Sequence, residues 1–238
     1  MDVFEQAMKT IPGGRVLDVA TGGGDAIQEL MANLGDYDEF IGIDTNGRAI
    51  EAARKTFEGQ EHICFVKMDA EHLDFEDASF DTVCLSNSLH HMTDLPQVLG
   101  EMMRVLKPEG WAIFVEMYCD GDQTAAQHTH IKMHHWWGEI DQARGNYHEK
   151  TFARQKIVEL IKESGFKNLA FYDYADLEQD PQAAEVMEIL PPRTKMMIER
   201  CQELPNAEVL VKRGQELLQR LHEVGFCSAS MLLAVGQK

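Results

Sequence analysis

Basic residues are scarce in this chain of 238 residues. It has 22 lysines and arginines against 40 aspartates and glutamates, which gives a formal net charge of −18 at pH 7. Such an acidic surface repels the phosphate backbones of nucleic acids and the anionic headgroups of lipids. We therefore expect neither nucleic acid nor a membrane surface as a partner.

Paired cysteines and long apolar runs are also missing. The five cysteines are odd in number, scattered and without a C-x-x-C pair, which favours reduced thiols. No apolar run approaches the roughly 20 residues of a membrane span, and the first residues contain no apolar signal region. These absences predict a cytoplasmic protein, and the chain is long enough for one α/β domain with a full core.

What the chain does contain is an apolar run that ends in a glycine turn. Residues 16–24 read VLDVATGGG, and the next apolar run, FIGID, ends at Asp44. A strand, a glycine turn, a helix and a strand with a terminal carboxylate form the layout that holds an adenosine-containing cofactor. Ile27 occupies the third glycine position of the dinucleotide pattern G-x-G-x-x-G. The turn instead fits the pattern acid-x-small-x-Gly-x-Gly.

This pattern resembles motif I of the class I S-adenosylmethionine (SAM) methyltransferases, filled by Asp18, Ala20, Gly22 and Gly24. Ala20 stands in place of the commonest glycine. Three further stretches follow in the order of the family: FVKMDAEHLDF, FDTVCLSNSLHHMTD and VLKPEGWAIFVEM. The resemblance covers residues 10–118 and is strongest to the branch typified by ubiquinone and menaquinone biosynthesis, whose members methylate many small molecules.

The resemblance implies roles for the motif residues in SAM binding. Asp44 is implied to accept both ribose hydroxyls, and Asp69 to meet the exocyclic amine of the adenine, although a solvated acidic loop is the competing interpretation of Asp69. Ser86 and Asn87 are implied to face the methionine part. We expect Asp18 to hydrogen-bond the amides of the glycine turn. The implied cofactor-binding residues are Asp18, Ala20, Thr21, Gly22, Gly24, Asp44, Thr45, Asp69, Ala70, Ser86 and Asn87.

Alternating strands and helices predict an α/β fold with a Rossmann-like, doubly wound sheet of seven strands, mostly parallel. Strands are expected near 14–20, 39–43, 62–67, 80–86, 110–117, 167–174 and 227–236, and helices near 2–10, 25–34, 46–57, 94–106 and 151–164. The resemblance implies that the last strand is antiparallel. The chain, residues 1–238, is interpreted as one methyltransferase domain with two helical insertions.

The first insertion, residues 119–150, contains half of the ten histidines and two of the three tryptophans. Asp122 is expected to cap a helix that stops at Gly145, with Gly138 as its weak point. Four residues share one face of this helix: His130, His134, Trp137 and Asp141. We interpret the insertion as a lid over the reactive methyl.

Three roles are open for the histidines of this segment. The first is acceptor binding, by His130, His134 and Trp137. The second is general-base catalysis near pH 7, by His148; the other base candidates are Tyr147 and, after the fourth predicted strand, His91. The third is a metal site of His130 and His134 with Asp141 or His148. The resemblance implies no metal, and we expect none.

The second insertion, residues 176–224, contains prolines at positions 191, 192 and 205, which are expected to divide it into about three helices. Its methionine-rich apolar faces are predicted mainly to pack as core, with a pocket wall or a dimer surface as alternatives.

The sequence predicts a SAM-dependent methyltransferase that transfers a methyl group to a small-molecule acceptor by in-line displacement, leaving S-adenosylhomocysteine. Two other classes stay open. Ile27 argues against an NAD-dependent oxidoreductase of the Rossmann type, and the intact acids Asp18, Asp44 and Asp69 argue against a non-catalytic SAM-binding protein. A homodimer is also left open.

Overall fold

The computed structural model describes residues 3–238 and contains the seven predicted strands. The strands are β1 (Gly14–Val19), β2 (Tyr37–Asp44), β3 (Ile63–Lys67), β4 (Phe80–Ser86), β5 (Leu106–Met117), β6 (Lys167–Tyr174) and β7 (Met231–Gln237). The helices are α1 (Val3–Met8), α2 (Asp25–Asn33), α3 (Gly47–Thr56), α4 (Leu95–Val105), α5 (Ala125–Ala143), α6 (Arg154–Glu163), α7 (Ala184–Cys201) and α8 (Ala207–Glu223). A short 3₁₀ turn covers Leu89–His91. The helix predicted over 2–10 is α1, and Asp2 lies outside the described residues.

The strands form one sheet in the order β3-β2-β1-β4-β5-β7-β6. β1 pairs in parallel with β2 and β4, and β2–β3 and β4–β5 are also parallel. The end of β7 lies beside the beginnings of its two neighbours, since Lys238 N donates to Gly110 O at 3.1 Å and Asn168 Nδ2 donates to Gln237 Oε1 at 2.9 Å. β7 is therefore antiparallel, and the predicted fold class is confirmed.

The order of the strands indicates where a ligand would bind. β1 pairs with β2 on one side and with β4 on the other, and Asp18 is in register with both Gly42 and Cys84. The chain thus leaves β1 in one direction for β2 and reaches β4 on the opposite side. This is a topological switch point, and in open α/β sheets the crevice at the carboxyl ends of such strands binds ligands.

The chain divides into two compact units. The sheet unit comprises the residues up to Glu116, Ile157–Tyr174 and Leu232–Lys238, and the helical unit comprises Met117–Lys156 and Ala175–Met231. The helical unit has a core of its own, formed by Met133, Trp136, Ile140, Cys201, Leu210, Leu217 and Leu221. Both predicted insertions, 119–150 and 176–224, fall within the helical unit.

Helix α5 begins two residues later than the predicted cap allows. Thr124 Oγ1 accepts from Gln127 N at 3.2 Å, and Gln127 Oε1 accepts from Thr124 N at 2.8 Å. This reciprocal capping box satisfies two backbone amides at once. Asp122 is therefore not the cap, and that prediction is wrong because Thr124 has the matching glutamine three residues later.

The second insertion contains two helices where about three were predicted. Pro191 and Pro192 lie inside α7, although each removes an amide donor from the helix. Pro191 and Thr194 are buried, so packing outweighs the local cost of the prolines. Met197 and Ile198 pack against the core of the helical unit, as the plain packing interpretation predicts. None of the helices within residues 3–238 has both the length and the apolar character to cross a membrane.

Candidate functional site

The glycine turn after β1 has a left-handed backbone and open space beside it. Ala20, Gly22 and Gly24 have φ angles of 56°, 54° and 88°, in the left-handed region that favours glycine. A Cβ on Gly24 would lie 2.6 Å from Phe57 Cε2, whereas a Cβ on Gly22 or Gly23 would meet no atom within 4 Å. The backbone of the turn can therefore be approached closely by a ligand at the start of α2.

Asp44 ties the glycine turn to the end of β2. Its Oδ2 accepts from Gly22 N at 3.0 Å, and its Oδ1 accepts from Asn46 N at 2.7 Å. The expectation that Asp18 would bond the amides of the turn is therefore wrong for Gly22, because the neighbouring strand brings Asp44 to that amide. Each oxygen of Asp44 keeps a further lone pair, so the carboxylate can still accept from hydroxyl groups.

Asp18 is a buried acid beneath the same turn. It is 1% exposed, and within residues 3–238 neither of its oxygens has a hydrogen-bond partner of ordinary geometry. Burial raises the pKa of Asp18 to about 7; Asp44 also raises it, while the Thr21 hydroxyl and the Cys84 thiol lower it. The desolvation of the charged form is the dominant cause.

The loop after β3 reaches the same edge of the sheet. Met68 N donates to Asp44 O at 3.1 Å, which joins the ends of β2 and β3. Asp69 is exposed, and its Oδ1 accepts from Glu71 N at 3.0 Å. Ala70 is half-buried and Thr45 is exposed. Asp69 thus has an accessible carboxylate at the position that the resemblance implies for the adenine amine.

The turn after β4 lies at the other side of the switch point. Asn87 has a φ of 46°, and its N donates to Val115 O at 2.7 Å. Ser88 Oγ donates to Ser86 O at 2.7 Å. The predicted cofactor-binding residues therefore all lie on β1–β4 or the turns that follow them, at one edge of the sheet.

Sequence reasoning missed Glu116. This residue is 0% exposed near the end of β5. Its Oε2 accepts from Ser88 N and Leu89 N, each at 3.0 Å, and its Oε1 lies 2.7 Å from His90 Nδ1. The signal in the sequence was an acid within an apolar run, in the stretch WAIFVEM. A buried acid requires hydrogen-bonding partners, so this position was a candidate for a structured polar site.

In the helical unit, α5 forms a seat for His148. His148 is buried, and its Nδ1 lies 3.0 Å from Asp141 Oδ2. Gln142 Nε2 donates to His148 O. A Cβ on Gly138 would lie 3.0 Å from His148 Cδ2, so the glycine in mid-helix makes room for the imidazole. The ring of His134 packs edge-on at 5.2 Å between centroids.

The other predicted acceptor and catalytic residues differ in their surroundings. His130 Nδ1 accepts from Ala229 N at 3.0 Å, its ring lies 4.8 Å from that of Phe226, and burial lowers its pKa to about 4. The Arg193 guanidinium lies 5.1 Å from the centre of the Trp137 ring. Tyr147 is 46% exposed.

The third base candidate, His91, belongs to the sheet unit. It is exposed, and its ring lies 4.3 Å from that of His90. His148 and Tyr147 belong to the helical unit. The imidazole of His148 is oriented by Asp141, a carboxylate of the same unit.

Comparison with known proteins finds a domain that is similar to part of the sheet unit. A model of the methyltransferase domain matches residues 17–114, which include the glycine turn and most of β5. These residues, fewer than half of the chain, are similar to that domain. The match ends before the helical unit begins, so it covers part of the sheet unit and says nothing of α5, α7 or α8.

Relatives of known name match a stretch of similar length. The chain is 34% identical over 112 residues to the ubiquinone/menaquinone biosynthesis C-methyltransferase UbiE of Geotalea daltonii, with 46% of this chain and 48% of that protein covered. It is 36% identical over 110 residues to the demethylmenaquinone methyltransferase of Lactobacillus johnsonii, with 45% of each covered. The chain thus spans about half the length of the curated relatives it matches.

A solved structure shows the same fold over most of the chain. The phosphoethanolamine N-methyltransferase 2 of Haemonchus contortus, in complex with phosphomonomethylethanolamine and S-adenosylhomocysteine, has a TM-score of 0.58 and 20% identity. The likeness covers 98% of this chain and 52% of that one. At this identity it concerns the fold alone.

Proposed function

We propose that this chain is a SAM-dependent methyltransferase that acts on a small-molecule acceptor. The observation that carries the proposal is the geometry of the glycine turn at the switch point. Open space lies beside Gly22 and Gly23, and Asp44 is held at the rim of the turn with spare acceptor capacity. This arrangement suits an adenosine-containing ligand.

The motif residues of the sheet unit would hold the cofactor by its three parts. Asp44 would accept hydrogen bonds from the ribose hydroxyls, and Asp69 would accept one from the adenine amine. Ser86 and Asn87 would face the amino-acid part. When bound, SAM supplies a methyl group on a positively charged sulfur. The remaining contacts come from Asp18, Ala20, Thr21, Gly22, Gly24, Thr45 and Ala70.

The helical unit would select the acceptor. His130, His134 and Trp137 are proposed to contact it, and the segment 119–150 to act as a lid. The residues of this unit lie beyond the matched domain, so the acceptors of the relatives do not transfer directly. The names of the relatives make a quinone-type ring the first acceptor class to test.

His148 is the base that the geometry favours when the acceptor atom carries a proton. Asp141 accepts from Nδ1 of the imidazole, which leaves the Nε2 lone pair as the basic position. His91 and Tyr147 are the other candidates. Orientation of the acceptor about 3 Å from the methyl can supply about 7–11 kcal/mol of the barrier, so the protein acts mainly by placing the two reactants.

The proposal is tested first by binding and then by turnover. Calorimetry should show SAM and S-adenosylhomocysteine binding with micromolar-class affinity and no binding of NAD. Methyl transfer from labelled SAM is then measured with a panel of small acceptors that includes a reduced naphthoquinone. NAD binding without SAM binding would establish the oxidoreductase alternative. SAM binding with no transfer to any acceptor would favour the non-catalytic alternative.

A further inference from the structure

Glu116 is a fully buried carboxylate whose hydrogen-bonding partners come from one short segment. Its two oxygens meet Ser88 N, Leu89 N and His90 Nδ1. The side chains of Glu116 and His90 are each 1% exposed. Burial of a carboxylate is costly unless it is hydrogen-bonded, and these three contacts supply the compensation.

The position of the three contacts indicates what Glu116 does. They are consecutive residues, and they follow directly after Asn87, whose backbone is left-handed with a φ of 46°. Asparagine enters this region more readily than most other residues with a side chain, but the buried amides that follow it need the support of an acceptor. Glu116 provides that support, because it binds two backbone amides on one side of the turn.

The supported turn lies at the switch point of the sheet. Val19 is in register with Leu85 across the β1–β4 pair, so the residues after both strands emerge at the same edge. The turn after β1 is the glycine turn, and the turn after β4 contains Ser86 and Asn87. Glu116 lies on β5, which is next to β4 on the side opposite β1. It therefore stabilises the turn from the side away from the glycine turn.

We propose that Glu116 is a positioning residue, which holds the turn of Ser86 and Asn87 in the shape that receives the amino-acid end of the cofactor. This inference rests on the proposed function. The proposed role of Glu116 is to accept hydrogen bonds from the two backbone amides, because its side chain is buried against them. Glu116 acts on the cofactor through the turn.

The test separates the amino-acid end of the ligand from its adenosine end. S-Adenosylhomocysteine carries both parts, whereas 5′-methylthioadenosine lacks the amino acid. We compare the affinities of the two ligands in Glu116→Ala, Glu116→Gln and Glu58→Ala by calorimetry. Glu58 is an exposed acid of the same unit, and it serves as the control for loss of one negative charge.

Glu116→Ala leaves two buried amides without their acceptor. The affinity for S-adenosylhomocysteine should therefore fall by about tenfold or more. The affinity for 5′-methylthioadenosine should change by less than about twofold, which also shows that the variant is folded. Glu116→Gln retains a carbonyl oxygen that can accept from the amides, so it should keep most of the affinity. Glu58→Ala should match the wild type.

Three results would overturn the inference. Equal losses for both ligands in Glu116→Gln would indicate a general role in folding. Equal losses of S-adenosylhomocysteine binding in Glu116→Gln and Glu116→Ala would indicate attraction by the charge. Unchanged binding in Glu116→Ala would show that the turn needs no support. Failure of the wild type to bind S-adenosylhomocysteine would instead refute the proposed function, so the two failures are distinguishable.

Discussion

The sheet unit and the helical unit each bury an ionisable side chain, and the two respond to pH in opposite directions. Burial raises the pKa of Asp18 to about 7 in the sheet unit and lowers the pKa of His130 to about 4 in the helical unit. The same effect, loss of hydration, favours the neutral form of both groups. Because Asp18 is an acid, its neutral form predominates at low pH. Because His130 is a base, its neutral form predominates at neutral and high pH.

The consequences for stability follow from the difference between folded and unfolded states. An unfolded Asp18 ionises near pH 3.8, so the contribution of this residue to stability falls as the pH rises from about 4 to 7. An unfolded His130 gains a proton below pH 6.5, so its contribution falls as the pH drops from 6.5 to about 4. In each unit, one buried residue therefore makes stability depend on pH. A substitution with a residue that does not ionise isolates this contribution.

The largest effect is expected for Asp18→Asn. Asparagine cannot ionise, so the variant avoids the cost that the wild type incurs at high pH. Its gain in the free energy of unfolding over the wild type should grow by roughly 2–3 kcal/mol between pH 5 and pH 8. Urea denaturation at several pH values measures this gain, with the exposed Asp38→Asn as control. A gain that is independent of pH would show that Asp18 does not titrate between these values.

A substitution in each unit separates cofactor binding from acceptor selection. Asp44→Ala removes the proposed ribose acceptor and should weaken SAM binding by about 1.5–3 kcal/mol. His134→Ala, in the helical unit, should leave SAM affinity nearly unchanged and reduce acceptor turnover. Calorimetry with SAM measures both variants. Unchanged affinity in Asp44→Ala would refute the ribose assignment, and a large loss in a folded His134→Ala would refute the assignment of acceptor selection to that unit.

For His130→Asn we expect a pH dependence of stability opposite to that of Asp18→Asn. The asparagine side-chain oxygen can replace Nδ1 as the acceptor for Ala229 N, but it gains no proton. The wild type should lose about 2 kcal/mol of stability relative to this variant between pH 7.5 and pH 5. Urea denaturation again measures the difference, and the exposed His222→Asn is the control. A constant difference would show that His130 is protonated in the folded protein at pH 5.

The smallest effect compares one helix glycine from each unit. A Cβ on Gly100, in α4, would meet no atom within 4 Å, whereas the corresponding position on Gly138 faces the ring of His148. Gly100→Ala should stabilise the protein by about 0.5–1 kcal/mol through helix propensity. Gly138→Ala should gain less, because the methyl displaces the imidazole.

Imidazole nitrogen chemical shifts provide the second measurement for this pair. In Gly138→Ala the His148 signals should move, since the Asp141 contact is disturbed, and in Gly100→Ala they should stay unchanged. Equal gains in stability with an unchanged His148 spectrum would show that the seat on α5 tolerates a methyl group.

The sheet unit could be predicted from sequence in most respects. Its strands are apolar runs of the right length, and its glycine turn is marked by residues that tolerate a positive φ, so local patterns located both. The hydrogen-bond partners at that turn could not be predicted. Asp18 and Asp44 are both acids at strand ends, and only the pairing of β1 with β2 decides which one meets the amide of Gly22.

The helical unit was predictable mainly in its composition. The histidine-rich segment was recognised as a helix, but its start at Thr124 and the continuation of α7 through Pro191 were not foreseen. Helix propensity marks Gly138 as a weak point, and the sequence does not show that it makes room for His148, because His148 lies outside the helix. Glu116 was overlooked for the same reason, because its partners are 26 to 28 residues away in sequence.

The sequence by itself determined the order of the seven strands, the glycine turn and the likeness of residues 17–114 to a methyltransferase domain, because apolar periodicity and the backbone freedom of glycine act over a few residues. Only the tertiary structure decided that Asp44 holds Gly22, that Glu116 supports the turn after β4, and that His148 sits on α5. These contacts join residues far apart in the chain, and burial makes each of them necessary, since a buried polar group must find its partner wherever the fold provides one.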